Sequence, residues 1–83
     1  MSSSQQALSE HFAHCVQIFG GTTASSRRLG IDERAIRRFI NGERPISDRL
    51  LQDTALALRA LIAEATAAEA HITATVGEDP SPR

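Results

Sequence analysis

TTASSRRLGIDERAIRRFIN, Thr22 to Asn41, holds two short runs of helical apolar spacing on either side of one turn signal, Leu29-Gly30-Ile31-Asp32. Gly30 can take the positive φ that ends a helix abruptly, and Asp32 can cap the next helix by accepting a backbone N–H on its carboxylate. The stretch therefore predicts a helix over Thr23 to Leu29, a tight corner, and a second helix over Asp32 to Asn41. In that second helix Ile36, Phe39 and Ile40 share one face, while Glu33, Arg34, Arg37, Arg38 and Asn41 share the other. An apolar face needs a core, so the flanking sequence has to supply one.

Upstream, Leu8, Phe12, Cys15, Val16 and Phe19 recur at helical spacing, which predicts an amphipathic helix over Ala7 to Phe19. Gly20-Gly21 stops it, and Thr22 or Thr23 is suited to cap the next helix. Downstream, Gly42 is a helix stop, Glu43-Arg44-Pro45 a turn, and Ser47 a cap for a fourth helix, with Ile46 and Leu51 placed as a hydrophobic staple. Neither Gly nor Pro then appears until Gly77, and an apolar stripe runs from Leu50 to Val76. At about 1.5 Å per residue such a helix reaches roughly 45 Å, further than a small four-helix body extends. The expected fold is all-α, with four helices and the last one long. Residues 1–6 are expected as a disordered tail, 7–62 as the body, 63–76 as a helical extension for dimerisation, and 77–83 as a solvated tail. Leu58, Leu61, Ile62, Ala65, Ala68 and Ile72 are the expected pairing residues.

Eighty-three residues bound the chain to one small domain, and a core of that size is marginal without help from a partner. The single cysteine excludes an internal disulfide, and no apolar run is long enough to span a membrane, so a reducing cytoplasm is the expected location. The formal net charge of −1 hides an asymmetry. Between Arg27 and Arg49 stand seven Arg against Asp32, Glu33, Glu43 and Asp48, a local +3; the rest of the chain sets Arg59 and Arg83 against six carboxylates, a local −4. A basic centre between acidic flanks is an electrostatic footprint for phosphate. All nine basic residues are Arg, which suits bidentate contacts but also follows from a G+C-rich coding sequence.

The stretch resembles the helix-turn-helix of the Cro and lambda-repressor class of prokaryotic regulators. The family places a small residue four positions before the turn glycine, apolar residues on either side of it, and a branched apolar residue six positions after. Here these are Ser26, Leu29, Ile31 and Ile36 around Gly30, with Phe39 three positions further on. The segment RRFINGERPI, Arg37 to Ile46, looks like the exit of the recognition helix in small regulators of phage and mobile elements. Ser26 departs from the usual alanine, and Thr22 and Thr23 stand where the family often has a phosphate-binding glutamine.

The resemblance implies a transcription regulator that represses by occupying a promoter, its own being one candidate; pairing through the fourth helix then implies a homodimer on a two-fold symmetric (palindromic) duplex DNA operator. Some such regulators control anti-CRISPR or toxin–antitoxin operons. Glu33, Arg34, Arg37, Arg38 and Asn41 become candidates for base edges, and Thr22, Thr23 and Arg44 for the DNA backbone. Arg34, Arg37 and Arg38 do not all fit one row, so at least one of them is expected on phosphate. Asn41 suits adenine or a helix end equally, Arg44 a phosphate or open solvent, and Arg27 or Arg28 an ion pair with Asp32 or Glu33. Asp32 with Glu33 reads as cap and dipole partner rather than an acid pair, and His11, His14 and Cys15 lack the further ligands a metal centre needs. No enzymatic activity and no cofactor are expected. The competing class is a helical protein-interaction module whose working surface is the long fourth helix.

Overall fold

A computed structural model describes residues 4–77; the expectations for residues 1–3 and 78–83 lie outside that span. Four helices follow one another: α1 (Gln5–Phe19), α2 (Thr22–Leu29), α3 (Glu33–Ile40) and α4 (Asp48–Val76). Each boundary has a local cause. Ser4 Oγ accepts from the Ala7 amide, Asp32 Oδ1 from Ala35 at 2.7 Å, and Ser47 Oγ from Leu50 at 3.1 Å, so three of the four helices begin on a side-chain cap. Gly20, Gly30 and Gly42 all take positive φ at helix ends. At Gly42 the Glu43 amide returns to the Arg38 carbonyl and the Gly42 amide to Phe39, closing α3 with paired backbone bonds.

Three expectations are corrected. The tail set at residues 1–6 is too long, because Ser4 caps α1 and Gln5 is helical. Gln5 is held there by a distant partner: its Oε1 accepts from the Ile46 amide at 2.6 Å, and its Nε2 donates to the Ile46 carbonyl at 3.3 Å. Neither Thr22 nor Thr23 caps α2; Gly21 holds the cap position, without a side-chain bond, and Thr22 is the first helical residue. Arg28 pairs with Glu64 of α4 rather than with Asp32 or Glu33.

The core is one cluster of Phe12, Val16, Ile36, Phe39, Ile46 and Leu50, with a smaller one of Cys15, Phe19 and Ala57 beside it. Phe12 and Ile36 are fully enclosed, and the Phe12 and Phe39 rings meet edge to face at 5.8 Å. Where helices cross closely, small polar residues fit because their hydroxyls bond backbone. Fully buried Ser25 donates to Gly21 O at 2.8 Å, and buried Thr54 donates to Leu50 O at 2.7 Å. Ser26, the resemblance's small residue, donates across the corner to the Ile31 carbonyl.

α4 packs its apolar side on α1 and α2 through its first half, and Glu64, just beyond it, reaches back to Arg28 of α2. From Ile62 to Val76 nearly every residue is exposed, in a molecule 48 Å in its longest dimension. No helix among the described residues is long and apolar enough to cross a membrane.

Candidate nucleic-acid interface

The outward face of α3 follows from what its inward face buries. Ile36 and Phe39 are buried and Ala35 and Ile40 half-buried, so Arg34, Arg37, Arg38 and Asn41 are turned to solvent. Arg34 and Arg38 lie one turn apart on the same row, Asn41 continues it, and Arg37 sits to one side. Among the described residues, Arg34, Arg38 and Arg44 make no ion pair. Arg44 is set at the exit of α3 by its backbone bond to the Arg38 carbonyl, with its guanidinium 5.0 Å above the Phe39 ring. Beside Asn41 and Arg44 an open cleft of about 510 Å³ runs back to Gln5 and Ser9 on α1.

Glu33 is differently placed from the other expected base readers. It is half-buried, it accepts from Thr23 Oγ1 at 3.0 Å, and its other oxygen takes Arg37 at 3.3 Å. This Thr23–Glu33–Arg37 chain ties the start of α2 to the first turn of α3. Glu33 thus aligns Arg37, and accepting from a cytosine would require it to give up one of these bonds. Thr22, half-buried, opens α2 at an end that no side chain caps, so the first amides of that helix have no side-chain acceptor.

Arg28 was the basic residue whose partner lay furthest along the chain. Its guanidinium donates to both carboxylate oxygens of Glu64, at 2.6 and 3.3 Å, and the bond holds the Glu64 carboxyl below the usual carboxylate range. Thirty-six positions separate the two residues, and no local pattern marks them as a pair. Their bridge links the end of α2 to α4 at a partly exposed site, beside the packing of Leu29 on Ala57's cluster.

The expected pairing residues divide into two groups. Leu58 and Leu61 are half-buried against the Cys15, Phe19 and Ala57 cluster, so the chain's own core claims part of their surface. Ile62, Ala65, Ala68 and Ile72 are exposed, Ile62 at 63% and Ile72 at 60%. The histidine–cysteine set of α1 is also divided, with His11 and His14 exposed while Cys15 is buried, and that burial pushes its thiol pKa up.

No family model matches the chain, and no curated protein or solved structure proved similar to it.

Proposed function

We propose that this protein is a sequence-specific duplex-DNA-binding transcription regulator that seats α3 in the major groove, two copies of the chain occupying a symmetric operator and repressing the promoter they cover. The observation that carries the reading is the cationic face itself. Arg34, Arg38 and Arg44 are exposed, make no ion pair among the described residues, and lie on or just beyond α3, whose opposite face is anchored by Ile36 and Phe39. Like charges held this close repel one another, and a polyanion relieves that repulsion. A groove about 12 Å wide admits one helix, which leaves Arg34, Arg38 and Asn41 to reach base edges. Thr22 with the uncapped start of α2, Thr23 and Arg44 then supply the flanking phosphate contacts.

The test is selection of bound fragments from random duplex DNA, followed by anisotropy titration of the selected site between about 50 and 200 mM salt. Affinity is expected to fall with a log–log slope of about −0.9 for each phosphate neutralised. Arg34→Ala with Arg38→Ala should lower affinity for the selected site by roughly 100-fold or more, each base contact contributing about 1–3 kcal/mol, with helicity unchanged because both side chains are exposed. Failure of the intact chain to retain duplex DNA at low salt would sink the proposal.

A protein-interaction module is the second reading, and the exposed Ile62, Ile72 and Val76 favour it. It separates cleanly from the first, because association through apolar surface changes little over the same salt range.

A further inference from the structure

The heptad pattern of α4 does not end where the body ends. Leu58, Leu61, Ala65, Ala68, Ile72 and Thr75 recur at alternating steps of three and four, the spacing of a coiled-coil seam. Leu58 and Leu61 meet the body's second core cluster. The same face then continues past it with Ala65, Ala68 and Ile72 exposed. We propose that this face is covered by the α4 of a second copy of the chain, lying antiparallel, with the two-fold axis between Ala65 and Ala68. The inference rests on the two-copy reading above and adds the surface, the polarity and the register; it does not depend on DNA.

The polarity follows from charge and size. In a parallel pair the residues flanking the seam meet five positions apart, which sets Glu64 against the partner's Glu69 on both sides. Like charges in that position destabilise the pair. Turned antiparallel about the stated axis, Leu61 meets the partner's Ile72 and Ala65 meets the partner's Ala68. Glu64 then faces the partner's His71, the sole imidazole of α4, and the two Glu69 side chains are kept apart. Glu64 is already drawn to that flank by Arg28 and remains 61% exposed, so it has lone pairs free for the partner. Alanines at the centre let the two axes approach toward the short end of the ~8–10 Å range.

The test is disulfide trapping in the full-length chain with Cys15→Ala. Ala65→Cys and Ala68→Cys chains of different mass are mixed and oxidised, with Ala67→Cys, off the seam, as the background control. The expected result is a mixed 65–68 disulfide several-fold above either like-with-like product. Predominance of 65–65 and 68–68 products would overturn the antiparallel arrangement while leaving a dimer. Crosslinking no greater than that of the Ala67→Cys control, together with sedimentation of the unmodified chain as a monomer at all concentrations, would overturn the two-copy reading itself. Ile72→Asp gives an independent check, because it meets the partner twice across the two-fold axis and should weaken self-association at least 100-fold while the monomer's helicity is retained.

Discussion

The first and second halves of α4 carry the same apolar periodicity and meet different fates. Leu50, Thr54 and Ala57 are buried against α1 and the α2–α3 corner, whereas Ile62, Ile72 and Val76 stand open to solvent. Periodicity therefore says which side of a helix is apolar but not what covers it; coverage depends on how far the neighbouring helices reach. Here α1 and α2 are 15 and 8 residues long, and a helix of 29 outruns both.

Substitution at the core tests that contrast most severely. Phe12→Ala should cost about 3–5 kcal/mol in urea unfolding, a large part of the whole stability of so small a domain, while Ile72→Ala at dilute concentration should stay within about 0.5 kcal/mol. Equal losses at the two sites would mean that the distal half is packed within the monomer. Next in size come the devices that shape the body's corner. Gly30 has a φ of 71° and open space where a Cβ would stand, so Gly30→Ala should cost about 1–2 kcal/mol for the backbone alone. Asp32→Ala should cost about 1 kcal/mol by removing the α3 cap, with Asp32→Asn recovering most of it in thermal melts. Ser25→Ala, which deletes a fully buried hydroxyl bonded to the Gly21 carbonyl, should cost about 1 kcal/mol or a little less.

The smallest effect lies at the join between the two halves. Because Arg28 depresses the Glu64 carboxyl, the bridge contributes stability above the ordinary carboxylate range, and that contribution is lost as pH falls through the lowered folded-state value. A carboxyl-carbon NMR titration should show the Glu64 midpoint returning to its ordinary position in Arg28→Ala; an unmoved midpoint would mean that the bridge does not persist in solution.

Much of this fold was legible because punctuation and period agreed. Gly20, Gly30, Asp32, Gly42 and Ser47 mark helix ends through chemistry confined to a few neighbouring residues, and the apolar steps of α1 and α3 name their buried sides. The outward face of α3 was legible for the same reason, as the complement of Ile36 and Phe39. Long-range events were not. Thr23 reaching Glu33, Arg28 reaching Glu64 and Gln5 reaching Ile46 join residues 10, 36 and 41 positions apart, and each depends on helix placement that no local pattern encodes. The full burial of Ser25 was hidden for a simpler reason. A hydroxyl next to another hydroxyl gives no sign of which is enclosed, and the one fully buried is the neighbour of the position that the resemblance marked.

The Gln5–Ile46 clamp gives the body a reporter of its own. The Ile46 amide sits in the connection before α4, where exchange with solvent deuterium would ordinarily be fast, yet its proton is held by a side chain from the start of α1. Gln5 is the first residue of α1, so fraying of that helix's first turn releases the proton as well as opening of the whole body. Its exchange should therefore be slower than that of an unbonded loop amide and quicken in Gln5→Ala, a gauge of how firmly the start of α1 is held against the last connection.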